Sequence, residues 1–358
     1  YNNKGITMSA RGEFSSRLGF VLAAAGSAVG LGNIWGFPSQ VAQNGGAAFV
    51  LVYLILAFFL AYPVLMAELI IGRATRANVV DALGAITQSK AGRYVGLWGA
   101  LTASLILSFY AIVAGWMLAY FVESTLSLVT DKPGLTWFVD FSFSRNWFFC
   151  LLFLSFTAAI VTGGVRQGIE KWSVRLMPTL VILIVALIIY VSLQDGAIDG
   201  WRAYLIPDFS KVTDPELLIS AMGQAFFSMS LGVGTMLVYG SYIAKSENLP
   251  ALGASVALVD IGVAVLAGML IIPAMYVAQA NGVAIFTESG TLIEGDALIF
   301  NVLPSLFASI GPIGVVIASV FFALMSIAAV TSSISMLEVP VSYLVEDKAV
   351  SRTKAVWV

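Results

Sequence analysis

Two short stretches carry residue types suited to holding a small cation and a zwitterion. The first is Gly26-Ser27-Ala28-Val29-Gly30-Leu31-Gly32-Asn33, and the second is Ser228-Met229-Ser230-Leu231-Gly232-Val233-Gly234. Both lie inside long apolar runs, yet glycine, serine and asparagine are poor helix formers. Glycine takes backbone angles barred to other residues, so a helix can unwind at each stretch. Unwinding frees N–H and C=O groups. Within hydrocarbon each costs several kcal/mol unless it lines a protected cavity. Freed carbonyls are hard oxygen ligands suited to sodium, and helix N-termini present partial positive charge to an anion. A molecule with an ammonium at one end and a carboxylate at the other matches both. A plainer reading exists, since Gly26 and Gly30 also form a small-xxx-small pair for close packing. Two such clusters, flanked by Asn33 and Ser230, favour the binding site.

These stretches need a membrane around them. Apolar residues make up 59% of the 358, and charged residues 11%. A soluble domain carries about 25% charged residues. Mean hydropathy is +0.94. Eight runs approach or exceed the roughly 20 residues that cross a hydrocarbon core. They cover about 17–43, 47–72, 95–128, 147–162, 172–193, 217–244, 251–279 and 304–344. The glycine clusters fall in the first and sixth. Five spans apart, those two helices cross in opposite directions, the signature of inverted repeats with transport sites at interrupted helices.

Basic flanks set the expected orientation. With the N-terminus cytoplasmic, Lys4, Arg11, Arg17, Arg73, Arg76, Lys90, Arg93, Arg166, Lys171, Arg175, Lys245, Lys348, Arg352 and Lys354 fall inside. Only Lys132, Arg145, Arg202 and Lys211 fall outside, fourteen against four. The outer loops are acidic, with Asp195, Asp199, Asp208, Asp214, Glu288, Glu294 and Asp296. Residues 74–94 suit a short cytoplasmic surface helix, and 282–303 suit a lid-like outer loop.

Much chemistry is excluded. The chain has no histidine, so a Ser-His-Asp triad, a histidine-ligated zinc and a histidine proton relay are absent. Cys150 is the only cysteine, which rules out an internal disulfide. No nucleophile–base pair marks an enzyme, and no basic run marks a nucleic-acid binder. The chain opens on Tyr1 rather than Met, and Ala355-Val356-Trp357-Val358 reads as the start of a ninth span. The expectation is one transmembrane domain over 1–358, truncated at its C-terminal side.

The stretch from Arg17-Leu18-Gly19-Phe20 through Gly26–Trp35 to Phe37-Pro38 resembles the neurotransmitter:sodium symporter family, in particular its bacterial amino-acid transporters. Asn44 to Phe49, Glu68 to Arg73, Gln224 to Gly234 and Thr331-Ser332-Ser333 continue the likeness over essentially the whole chain. The resemblance implies an all-α integral membrane fold of twelve helices in two inverted repeats, with helices one and six discontinuous. This chain would carry helices one to eight and the first turn of nine, the first repeat over about 17–193 and part of the second over about 216–358. It implies sodium-coupled symport of amino acids or their derivatives by alternating access, in the cell membrane.

Site residues follow from the same motifs. One sodium would sit among Ala28, Asn33, Ser228 and a polar group of the seventh helix. A second would sit among Gly26, Val29, Ala328, Thr331 and Ser332. The substrate carboxylate would complete the first sodium's shell and meet the amides near Leu31 and Gly32 and the Tyr110 hydroxyl. The substrate ammonium would meet carbonyls of Ala28, Phe227 and Ser228. The substrate side chain would face Ile106, Phe227, Ser230, Val233, Ser333 and Met336. Monoamine carriers of the family place an Asp where Gly30 stands, so Gly30 points to a substrate with its own carboxylate. The mostly apolar lining points to neutral, hydrophobic amino acids.

Some positions depart from the family. Gly36 stands where an outer-gate Arg is usual, and Val233 is smaller than the usual Phe. The seventh-helix sodium ligand falls on Val259 or Asp260, and only Asp260 has a side-chain ligand. A charge at mid-bilayer costs at least about 2.5–3.5 kcal/mol and signals function. Asp260 beside the first sodium, with Tyr53, Gln224 and Ser228 near, would replace the chloride that many relatives need. A plainer role for Asp260 is a bond to a neighbouring helix. Glu68 is expected to bond the unwound part of helix one, with Glu123 near the outer edge and Glu338 near the inner. Taken alone, Thr331, Ser332 and Ser333 read as hydroxyls bonding their own helix, and Tyr110 can be read as an aromatic filler. The alternatives to a sodium–amino-acid carrier are a carrier of the same fold with another ion or solute, and a membrane receptor or channel.

Overall fold

Side-chain caps mark where the apolar runs become helices. Ser16 accepts from the Gly19 amide, Asn78 from Val80 and Asp81, Ser89 from Gly92 and Asn248 from Ala251. Each satisfies a donor that the first helical turn leaves unpaired. A computed structural model describes residues 12–128, 143–287, 292–293 and 302–358. Its helices are α1 (Arg17–Ala28), α2 (Phe37–Gln43), α3 (Ala47–Leu56), α4 (Tyr62–Thr75), α5 (Val79–Thr87), α6 (Lys90–Ser127), α7 (Phe143–Thr162) and α8 (Lys171–Ser192). There follow α9 (Ala197–Leu205), α10 (Pro215–Ser228), α11 (Thr235–Gly240), α12 (Leu249–Ala280), α13 (Leu303–Ser309), α14 (Pro312–Asp347) and α15 (Arg352–Trp357). Wider π turns at Gly32–Gly36, Ala57–Ala61 and Val165–Glu170 lead into α2, α4 and α8. Outside the helices, the described residues hold one isolated bridge, Phe286 with Leu292.

Among the described residues, six spans are long and apolar enough to cross a membrane, and α1 with α2, bent by 54°, makes a seventh if the pair is one span. The expected sixth span is present as α10 and α11, parted by residues 229–234. The surface helix expected within 74–94 is α5. The expected eighth span is not one helix. Gly311 takes φ 71°, and Pro312 starts a new helix, where its missing N–H costs nothing. The short α13 therefore stands apart from α14. An unforeseen helix, α9, packs on α12 through Gly200 and Tyr204, whose hydroxyl donates to the Val265 carbonyl at 2.9 Å. Lys4, Arg11, Lys132, Glu288, Glu294, Asp296 and most of the 282–303 loop lie outside the described residues.

The interior is built around α1. Ala23, Ala24 and Ala25 are fully buried, and α1 touches α8, α12 and α14. Small side chains there let three long helices approach a fourth closely. The pair α6 and α14 packs most extensively, with Tyr120 stacked on Phe322 at 4.5 Å between ring centroids.

Candidate functional site

Both helix breaks form where the glycine clusters stand. After Ala28, Val29 turns to φ −70°, ψ 101°. The chain resumes through the π turn and α2. In the second break Gly232 and Gly234 take φ 84° and 87°, and Ser230 takes φ 54°. A residue with a β-carbon in that region costs about 1–3 kcal/mol. Three hydrogen bonds hold Ser230 there: its amide donates to Phe227 O, its hydroxyl to Ser27 O, and its carbonyl accepts from Thr235 Oγ1. The Ser230–Ser27 bond joins the two breaks directly.

Beside this joint lies a closed polar cluster. Asn33 Nδ2 donates to Ser228 Oγ at 2.9 Å and to Asp260 Oδ1 at 2.8 Å, and Ser228 Oγ donates to Asp260 Oδ2 at 2.8 Å. Tyr53 donates to Ser228 at 3.4 Å. Asp260 and Asn33 are wholly buried. Of the two candidates on the seventh span, Asp260 is therefore the one that faces Asn33 and Ser228. Its named partners are neutral, which leaves a carboxylate in the protein interior without a countercharge in this cluster.

A second oxygen cluster lies where α1 meets α14. Ser332 Oγ stands 3.4 Å from Gly26 O, 3.1 Å from Ser27 O and 3.1 Å from Val29 O. A hydroxyl has one proton to donate, so three carbonyls converge on a point that one proton cannot satisfy. Thr331 Oγ1 donates to Ala328 O at 3.0 Å within α14. Gly26 permits this approach, since a β-carbon there would lie 3.2 Å from Thr331 Cβ. Thr331 thus bonds its own helix, as the plain reading had it, while Ser332 reaches across.

A cavity of about 60 Å³ lies at the two breaks, with Ser332 in its wall. Of the expected substrate residues it is lined by Ala28, Gly32, Ile106, Tyr110, Phe227, Ser230, Val233 and Met336. Leu31 reaches the same place through its amide, which donates to Tyr110 OH at 3.0 Å. Ser228 is not in the lining, and its hydroxyl donates to Asp260. Ser333 is buried, lines no part of the cavity, and its hydroxyl makes no hydrogen bond. The lining also includes Gly30, Ala103, Leu231, Thr235 and Ser332. Thr235 begins the resumed helix α11, and its place next to a glycine break was the available sequence signal. A β-carbon at Gly30 would overlap Ser332 Oγ and stand 2.8 Å from Tyr110 OH. A second void, about 20 Å³ between α8, α12, α13 and α14, has an apolar lining.

Three flanking residues differ from or refine the expectations. Glu68 Oε1 accepts from the Gly232 amide at 2.7 Å, so it supports the second break rather than the first. The left-handed turn at Gly232 frees that N–H. Gln224 Nε2 donates to Gly32 O at 2.9 Å, and the space above Gly36 is open apart from Gln224 Oε1 at 3.7 Å and Leu31 O at 4.0 Å. Glu338, fully buried, accepts from Tyr242 OH at 2.6 Å and pairs with Arg352 at 2.5 Å.

Two broken helices, joined at their breaks and lining one cavity with oxygen clusters nearby, define a multi-pass, all-α membrane transporter rather than an enzyme. The comparisons place it further: the chain belongs to the sodium:neurotransmitter symporter family, whose sequence profile matches residues 11–141 and 139–357. It is 35% identical over 350 residues to the sodium-dependent transporter YhdH of Bacillus subtilis, covering 96% of this chain and 75% of that one. It is 26% identical over 280 residues to the bovine sodium-dependent neutral amino acid transporter B(0)AT2, covering 67% of this chain and 37% of that one. Its fold is similar to that of MhsT, solved with L-phenylalanine, at a TM-score of 0.85 and 39% identity, covering 97% of this chain and 77% of that one. Sodium use and membrane residence follow from the family.

Proposed function

We propose that the chain carries neutral, hydrophobic amino acids across the cell membrane together with two sodium ions, without chloride, its N-terminus cytoplasmic. The observation that carries this reading is the Asn33–Ser228–Asp260 cluster, two of whose chain neighbours, Gly32 and Phe227, line the cavity. One sodium would bind there, with the Ala28 carbonyl and the substrate carboxylate completing its shell. Asn33 would rotate its amide so that Oδ1, which accepts from the Gly30 amide at 3.4 Å, faces the ion. The second sodium would bind at the carbonyls of Gly26 and Val29 and at the Ser332 hydroxyl oxygen, whose proton would turn away, with Ala328 and Thr331 adjoining.

The substrate's carboxylate would bridge the Leu31 amide and Tyr110, and its side chain would lie among Ile106, Phe227, Val233 and Met336. Gly30 supports a substrate that brings its own carboxylate, because no side chain fits there beside Ser332 and Tyr110. The names of the bovine relative and of the L-phenylalanine complex support the same class. Asp260 would supply the negative charge that chloride would otherwise bring next to sodium. Uptake of labelled neutral amino acids into liposomes tests the reading. It should require a sodium gradient and persist when gluconate replaces chloride; uptake that needs chloride would overturn the role given to Asp260.

A further inference from the structure

A second buried carboxylate, besides Asp260, bonds the first broken span at its start. Glu170, the last residue of the π turn ahead of α8, is 5% exposed. Its Oε2 accepts from the Ser15 amide at 2.8 Å, and its Oε1 accepts from Ser15 Oγ at 2.6 Å and Ser16 Oγ at 3.2 Å. Ser16 is also the N-cap of α1. The carboxylate therefore completes the cap of a helix whose N-terminus attracts negative charge. The fit is close, since a β-carbon at Gly19 would overlap Glu170 Oε1.

The other end of α1 supplies the carbonyls that converge on Ser332. Helix α1 has 12 residues, a rod of about 18 Å. Helix α8, into which the π turn leads, touches that far end: a β-carbon at Gly26 would lie 3.2 Å from Met177 Cγ. The π turn and the helix it leads into thus hold α1 at both ends, by a charged clasp at Ser15–Ser16 and by packing at Gly26. A short rod fixed at two points cannot tilt. Release of the clasp frees the start of α1 from the π turn, while its packing on α8, α12 and α14 remains.

We infer that Glu170 is a positioning residue for the second sodium: by clasping the start of α1 to the π turn, it sets where the Gly26 and Val29 carbonyls lie against Ser332. The inference rests on the sodium reading of that cluster. Glu170→Ala removes all three hydrogen bonds, whereas Glu170→Gln keeps an oxygen for the Ser15 amide.

The test is a titration of the purified full chain with sodium alone, read by thermal unfolding and by hydrogen–deuterium exchange. Glu170→Ala should raise the half-saturating sodium concentration at least about fivefold and speed exchange of the amides at 15–20. Glu170→Gln should fall between it and the unaltered chain. A sodium response within twofold of the unaltered chain, while Ser332→Ala shifts it, overturns the inference. If Ser332→Ala changes nothing either, the sodium reading is what fails. The clasp then stands on exchange at 15–20, and unchanged exchange in Glu170→Ala overturns it. Should Glu170→Ala not fold, Ser15→Ala, which removes one bond, should still raise half-saturating sodium about twofold; no change there is equally contrary.

Discussion

Asn33 on the first broken span donates to the Asp260 carboxylate on the seventh at 2.8 Å, and both are sealed from solvent. A buried carboxylate held by neutral donors is stabilised only in part, because burial removes its hydration. A cation entering the cluster supplies the missing charge. That relationship makes Asp260 the residue whose loss should matter most to the first sodium. Asp260→Asn should weaken sodium-dependent binding by about 10- to 100-fold, the equivalent of about 1.5–3 kcal/mol for a bond to a charged group. A sodium titration of amino-acid binding checks it. A sodium dependence unchanged by the substitution would remove Asp260 from the site.

The second cluster predicts a different pattern. Ser332→Ala removes the hydroxyl facing three carbonyls, whereas Thr331→Val removes one that already bonds Ala328. Ser332→Ala should therefore raise the half-saturating sodium concentration by about tenfold, and Thr331→Val by less. Equal effects would mean that Thr331 turns from its own helix to the ion. The comparison is made in one titration series.

Gly30 is a steric requirement. Any β-carbon there overlaps Ser332 and approaches Tyr110. Gly30→Ala should abolish amino-acid binding while the protein still folds, as judged by its elution and unfolding profile. Binding at the unaltered affinity would show that α1 can shift to make room, and would weaken the place given to the substrate carboxylate.

The Glu338–Arg352 pair should show itself in stability. Glu338 is wholly buried, and Arg352 also donates to the Val161 carbonyl at 2.9 Å. Removing one partner leaves an uncompensated charge, a cost of about 3–5 kcal/mol. Glu338→Ala should lower the melting temperature by on the order of 5–10 °C. The double change Glu338→Gln with Arg352→Gln should cost less than the sum of its parts. An additive result would show that the two side chains act independently.

The large features were legible because they are set by composition and by glycine. The first span's bounds at Arg17 and Gln43, and the breaks at Gly30 and Gly232, follow from apolar length and backbone freedom. The details that failed depend on direction, which sequence spacing does not carry. Glu68 accepts from the Gly232 amide, freed by the left-handed turn of the second break. Ser333 is chemically as good a lining residue as Ser332, but neighbours on a helix point about 100° apart, and only Ser332 faces α1. The apolar run from Pro304 to Leu344 hid the bend at Gly311, whose glycine and proline were the signal to be read.

The most direct test of the account is thermal unfolding of the purified protein in detergent, with sodium or potassium, across a panel of amino acids. A ligand that binds only the folded state raises its stability by mass action. The account predicts stabilisation by neutral, hydrophobic amino acids when sodium is present and none when potassium replaces it. Stabilisation that is equal in the two salts, or absent in a folded sample with both sodium and every amino acid tried, would contradict it.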